Sequence, residues 1–150
     1  MKPLISAPGE GLVFPMEPGS LVRFKVIGEN TDHALEMYER EVPAHTIGAD
    51  PHLHLTTVET FYVVSGEPLI LVGETRQQFG PGSVVVVPKN TVHGFWNQTD
   101  QPVKILVTFT PSLGHHEFFR ALSLLKAGPP EDYVAGLAAL RIRFDSISVT

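Results

Sequence analysis

Three histidines and one glutamate carry the chemistry open to this sequence. His52 and His54 stand two apart at the start of the run from Pro51 to Gly66, Glu59 follows inside it, and His93 answers from further along. Imidazole nitrogens and a carboxylate oxygen together suit a divalent metal. In a strand, residues two apart point to the same face, so His52 and His54 can reach one ion. Glu59 lies an odd number of residues beyond His54, and a straight strand would carry it to the opposite face. A turn must intervene. The polar pair Thr56-Thr57 suits it, with Thr60 to Val64 returning as a second strand beside the first.

The elements that must position these residues are mostly short strands. Leu21 to Ile27 alternates, with Val22, Phe24 and Val26 on one face and Arg23 and Lys25 on the other. After the turn cluster Gly28 to Asp32, residues Ala34 to Val42 alternate again, with Leu35, Met37 and Tyr38 as the apolar positions. Pro43 to Pro51 reads as a loop leading into the histidines. Beyond Gly66 come strands over Leu69 to Val72, Thr75 to Phe79, Val84 to Val87, Val92 to Asn97 and Val103 to Thr110, separated by Gly, Pro and Asn turns. The four valines from Val84 read as a strand packed on both faces. So many short strands predict a sandwich or barrel.

The period changes after Pro111. Phe118, Leu122 and Leu125 fall at helical spacing within His115 to Ala127, with Ser112 as the predicted cap and Gly128-Pro129-Pro130 as the stop. A second helix follows, with Tyr133, Leu137 and Leu140 on one face. Arg141 to Thr150 shows no settled alternation and is left without an assignment. Residues 1–20, rich in Pro and Gly, read as an extended arm able to pair at a sheet edge.

The chain has 150 residues, enough for one domain with its own core, and 43% of them are apolar. It has no cysteine, which excludes disulfides, thiolate catalysis and Cys-based zinc sites. Net charge is -5 with 11 basic residues and no basic cluster, so neither nucleic acid nor a membrane surface is an expected partner. No apolar run is long enough to span a bilayer and no secretory pattern is visible, so the expected location is the cytoplasm.

With both histidine segments in view, the sequence resembles the cupin superfamily, whose two short motifs flank a small β-barrel. In the first motif, His52-x-His54, Glu59 and Gly66 match in spacing, while Gly48 sits two residues closer than the pattern. In the second, Gly82, Pro88, His93 and Asn97 match, and Asn90 replaces the middle glycine. That replacement is tolerable because Asn adopts positive φ more readily than most residues. The resemblance covers roughly residues 34–110, and Pro111 to Leu122 is similar to the helical tail of small quercetin-dioxygenase-like single-domain cupins. It implies an all-β fold with C-terminal helices, a jelly-roll (double-stranded β-helix) barrel over about 21–110 and a helical tail over about 112–140.

The resemblance also implies that His52, His54, Glu59 and His93 are metal ligands, and that the protein is a homodimer. Three nitrogens and one oxygen without thiolate suit Fe, Mn, Co, Ni, Cu or Zn. The first expectation for function is an oxygenase acting on a small aromatic or enolisable substrate, with Glu59 both ligand and proton acceptor. The alternatives are a non-catalytic small-molecule or metal-binding module, and an isomerase or lyase of a sugar or keto acid. The last would need polar pocket residues beyond the ligands. Phe61, Val63 and Phe95 share strand parity with Glu59 or His93 and are the predicted pocket lining, with Met37, Phe79 and Phe109 as weaker candidates. Gly66, Gly82 and Asn97 are read as structural, His33 as solvated, His45 as a loop residue near the site, and His115 and His116 as ordinary helix residues.

Overall fold

Alternating sequences become paired strands only where a neighbour accepts their backbone groups, and here nearly every short strand finds one. In the computed structural model, which describes residues 1–149, the strands in chain order are β1 (Leu12–Pro15), β2 (Leu21–Val26), β3 (Glu36–Val42), β4 (Thr46–His54), β5 (Val58–Ser65) and β6 (Leu69–Val72). They continue as β7 (Thr75–Gln78), β8 (Val84–Val87), β9 (His93–Asn97) and β10 (Val103–Thr110). Helices α1 (His115–Lys126) and α2 (Tyr133–Arg143) follow, and β11 (Ser146–Ser148) closes the described chain. All pairings are antiparallel and form two sheets, β1-β2-β3-β10-β5-β8 and β11-β4-β9-β6-β7. Inward residues of both sheets make one core: Phe61 of β5 meets Phe95 of β9 at 5.6 Å between ring centroids. The result is the jelly-roll barrel with C-terminal helices.

Strand β4 corrects one expectation. It begins at Thr46, so much of the predicted loop before His52 is paired with β9, Thr46 opposite Asn97 and Ala49 opposite Phe95. The register shifts between Ile47 and Ala49 and again between Ala49 and His52. Such irregularities admit Pro51, whose missing N–H would cost a ladder bond in a regular strand. Gly48 is required here for space, because a Cβ at this position would drive into the Phe95 ring.

Strand β3 corrects another. Its inward residues are Glu36, Tyr38, Arg40 and Val42, all buried, while Met37 and Leu35 sit half-buried on the other parity. Two charged side chains therefore point inside, and both find partners there. The Glu36 carboxylate accepts the backbone N–H of His115 at 2.8 Å and of His116 at 3.4 Å. It thus caps α1 from a strand far away in sequence, satisfying N–H groups that a helix start leaves open. Ser112, the predicted cap, does not serve: Gly114 takes the cap position at φ 77°, a left-handed conformation that glycine adopts freely.

The remaining elements brace the histidine strand. β11 pairs with β4, Ser146 opposite His54 and Ser148 opposite His52, so the unassigned tail is an edge strand of the site. Asp145 accepts Thr56 N–H at 2.9 Å, Thr57 N–H at 3.0 Å and the Thr57 hydroxyl at 3.2 Å, which fixes the turn between β4 and β5. The arm pairs through β1 with β2. In β8 only Val85 and Val87 are buried; Val84 and Val86 are 58% and 55% exposed, against the expectation of a strand packed on both faces. Among the described residues no helix is long and apolar enough to cross a membrane.

Candidate metal centre

Parity places His52 and His54 on the inward face of β4, and β9 lies alongside so that His93 stands opposite His52. Glu59 enters from β5 in the other sheet. One donor atom from each of the four lies within 4.8 Å of all the others. Glu59 Oε2 accepts from His93 Nε2 at 2.7 Å and lies 3.2 Å from His54 Nε2. On the far side of two rings the backbone takes the other nitrogen: His52 Nδ1 donates to Asp50 O at 2.8 Å and His93 Nδ1 to Thr91 O at 2.9 Å. Those bonds fix the ring orientation and keep Nε2 as the nitrogen offered to an ion, as in many metal-binding histidines.

The electrostatics agree with a cation site. Burial would raise the Glu59 carboxyl, but the positive charge of His93 and hydrogen bonds from His54 and His93 outweigh it and hold the group well below the usual carboxylate range. Burial would lower His93, and Glu59 reverses that, lifting it above its ordinary value. His52 is pushed well down, by burial first and by His93 second, so it stays neutral with a free lone pair. Four buried, nitrogen-rich donors converging on one point fit a divalent transition metal; burying them together with nothing to share would be costly.

A cavity of about 500 Å³ opens beside the cluster. His52, His54 and Glu59 lie on its wall. Aromatic rings make another part of it, Tyr38, Phe95, Phe109, Phe118 and Phe119. A third part is charged: Arg40 from β3, Lys126 from α1, Arg141 from α2, and with them Glu17 and Asp50. The helices thus do more than cover the barrel; they supply a share of the cavity.

Residues 38–109 match the family described as "Cupin domain". This stretch is a cupin domain. Among solved structures, the cupin chain is similar to KdgF from Halomonas sp. (TM-score 0.64, 19% identity, 73% of this chain and 94% of that one). It is similarly close to an RmlC-like cupin from Shewanella frigidimarina NCIMB 400 (TM-score 0.63, 18% identity, 75% and 94%). At these identities the likeness concerns the fold. Two sequence relatives come from Bacillus subtilis. An H2HPP isomerase is 33% identical over 114 residues, 73% of this chain and 42% of the relative. A quercetin 2,3-dioxygenase of strain 168 is 29% identical over 127 residues, 85% of this chain and 36% of the relative. The cupin chain spans less than half the length of either relative.

Within the cupin barrel, the four predicted ligands come together. Of the predicted lining, Phe95 is on the cavity wall. Phe61 and Val63 are not; both are fully buried, Phe61 packed behind His93 at 6.2 Å between centroids. Parity was right for them and depth was not, because the cavity opens toward β3, β4 and the helices rather than along β5. Phe109 lines the cavity, whereas Met37 and Phe79 do not. His45 sits at the rim, exposed, with Nε2 2.8 Å from Asp100, and His33 is exposed in its turn. Asn97 is structural, its amide donating to Val42 O, Pro43 O and Gln101 O, and Asn90 adopts φ 61° where the family pattern has glycine.

Sequence reasoning missed Glu36, Arg40, His115, Lys126 and Arg141. The first two carried a signal: they share period-two parity with Tyr38 and Val42, and an inward strand face with charges marks a polar interior. His115 and His116 are not ordinary helix residues; they are 1% and 5% exposed and both hold Glu36.

Proposed function

We propose that this cupin is a metal-dependent enzyme that isomerises a small enolisable substrate bearing an anionic group, of the keto-acid kind. One observation carries the reading: the cavity that meets the ligand cluster is lined by two buried arginines, Arg40 and Arg141, as well as by aromatic rings. Arg40 and Lys126 share a single carboxylate, Glu17, with Arg40 Nη2 3.1 Å from Oε2 and Lys126 Nζ 2.6 Å from Oε1. Arg40 Nη1 is buried with no partner. Arg141, 5% exposed, is held by two neutral oxygens, Ser148 Oγ at 2.9 Å and Asp50 O at 3.3 Å. It lines the same cavity as His52, His54 and Glu59. A buried guanidinium nitrogen without a partner on Arg40 and a buried guanidinium on Arg141 hydrogen-bonded only by neutral oxygens favour an anionic guest.

A bound divalent ion would polarise the substrate carbonyl and so acidify the neighbouring C–H. Glu59, ionised and part of the cluster that would hold the ion, is the carboxylate available to take that proton. For a keto acid that carries a C=C beside the acidified carbon, isomerisation then needs only a proton removed at that carbon and returned at the far end of the C=C, with the electron pair held as the dienolate between. No oxidant enters. The isomerase among the relatives agrees with this class of reaction.

The aromatic wall and the dioxygenase relative favour a second reading, an oxygenase on the same enolisable substrate. One experiment separates them. The metal-loaded protein is incubated with aryl-substituted 2-keto acids in D₂O, with NMR detection and an oxygen electrode. The isomerase reading expects deuterium incorporation next to the carbonyl above the uncatalysed rate, without oxygen uptake. Oxygen uptake supports the oxygenase instead, and metal binding with neither signal leaves a non-catalytic binding module.

A further inference from the structure

Two of the three histidine ligands hand their Nδ1–H to a backbone carbonyl, and the third does not. His54, whose Nε2 lies toward Glu59, has a buried Nδ1 with no hydrogen-bond partner. If Nε2 is the nitrogen offered to an ion, Nδ1 must carry the proton, and a buried N–H without an acceptor is costly. A second orphan lies next to it. His115 Nδ1 is 2.9 Å from Glu36 Oε2, which assigns the proton to that nitrogen and leaves Nε2 as a lone pair; Nε2 is buried and has no partner. A donor without an acceptor and an acceptor without a donor thus sit on adjacent rings.

The contact is direct. The His54 and His115 rings are 5.8 Å apart between centroids at 88°, edge to face. Rings this close need only a modest rotation to bring their two unpartnered nitrogens into hydrogen-bonding range. Phe109 holds both: it stacks on His115 at 3.8 Å and 18°, and meets His54 edge-on at 5.5 Å. Glu36 pins His115 at two points, through Nδ1 and through the backbone N–H at 2.8 Å. His115 therefore has little freedom other than to present Nε2.

We infer that His115 is the positioning residue for His54: its Nε2 accepts the His54 Nδ1–H, so that Glu36, His115 and His54 form one hydrogen-bonded chain from β3 through α1 to the metal cluster. The chain does for His54 what Asp50 O does for His52 and Thr91 O for His93. It also ties α1, which supplies part of the cavity wall, to a ligand of the cluster. This inference rests on the metal reading of the four-residue site.

The test compares wild type with His115→Phe, which keeps the stack on Phe109, and His115→Gln, whose side-chain oxygen can accept from His54. Cobalt(II) is titrated against a competing chelator, its visible absorption bands are recorded, and ¹⁵N-detected imidazole NMR follows the His54 Nδ1–H. The expected result is a ten- to hundredfold loss of cobalt affinity in His115→Phe with shifted bands and a rapidly exchanging Nδ1–H, while His115→Gln regains much of the affinity. Wild-type affinity, bands and Nδ1–H protection in a folded His115→Phe would overturn the inference alone. Failure of the wild type to bind cobalt, or any other divalent ion, would overturn the metal reading and this chain with it. If His115→Phe does not fold, the wild type decides by ¹⁵N imidazole NMR: a scalar coupling between His54 Nδ1 and His115 Nε2 across the hydrogen bond is expected, and a rapidly exchanging His54 Nδ1–H without that coupling overturns the chain.

Discussion

Glu36 holds His115 at both ends of the residue, 2.8 Å from its backbone N–H and 2.9 Å from its ring Nδ1, although the two are far apart in the chain. One buried carboxylate thereby joins the strand that lines the cavity to the helix that roofs it.

That join is pH-dependent in a definite direction. Burial would raise the Glu36 carboxyl, but hydrogen bonds from His115 and His116 outweigh it and bring the group from 4.5 down to about 2. A carboxyl depressed in the fold stabilises fully above its unfolded value and loses that contribution as pH falls through its folded value. The contribution at neutral pH is on the order of 3 kcal/mol. Urea midpoints of the metal-free protein should therefore fall steeply between pH 4.5 and 2. Glu36→Gln should be less stable at pH 7 and lose part of that acid limb; an unchanged slope would show that the pairing contributes nothing.

Metal binding should act as a folding ligand. An ion present at a hundred times its dissociation constant adds about 2.7 kcal/mol to stability, and a domain of this size responds by several degrees. Loading a divalent transition metal should raise the melting temperature of the wild type, and EDTA should reverse it. Glu59→Ala and His93→Ala, each removing one donor of the cluster, should show no metal-dependent shift. Equal shifts in all three proteins would place the ion elsewhere.

The ligand cluster was legible in the sequence because two-residue spacing and the odd step from His54 to Glu59 both translate directly into strand geometry. The same rule said less about β3, where Leu35, Met37 and Tyr38 stood as the apolar positions and the inward parity belongs to Glu36, Tyr38, Arg40 and Val42, the two charges finding partners on α1 and at Glu17. Depth was not legible either: Phe61 and Phe95 have the same parity argument behind them, and only the side on which the barrel opens separates core from wall. β11 is three residues long and owes its pairing to β4, not to any pattern of its own. The basic part of the cavity wall comes from β3, α1 and α2 together, and no spacing rule joins Arg40, Lys126 and Arg141 across the chain.

That wall makes a prediction about selectivity. Arg141 presents a buried guanidinium held only by Ser148 Oγ and Asp50 O. A hydrogen bond to a charged group is worth about 1.5–3 kcal/mol, or roughly ten- to a hundredfold in affinity. Arg141→Gln should raise KM for a keto acid by about that factor while leaving KM for the corresponding neutral ester nearly unchanged. An equal effect on acid and ester would mean that the arginine shapes the cavity without reading charge.

The last prediction concerns a single hydrogen. Gly48 lies under the Phe95 ring, and a Cβ there would overlap that ring with no room to slide, since Phe95 packs on Phe61 from behind. Gly48 does not have a positive φ, so alanine meets no backbone strain and its whole cost is steric. Gly48→Ala should lose about 1–3 kcal/mol by chemical denaturation. Truncating the ring in Gly48→Ala/Phe95→Leu should recover much of it, giving a coupling far from additive. Because Phe95 lines the cavity, the single variant should also bind substrate less well, and the double variant should recover stability without recovering binding. Simple additivity of the two substitutions would mean that the ring and the glycine do not depend on each other.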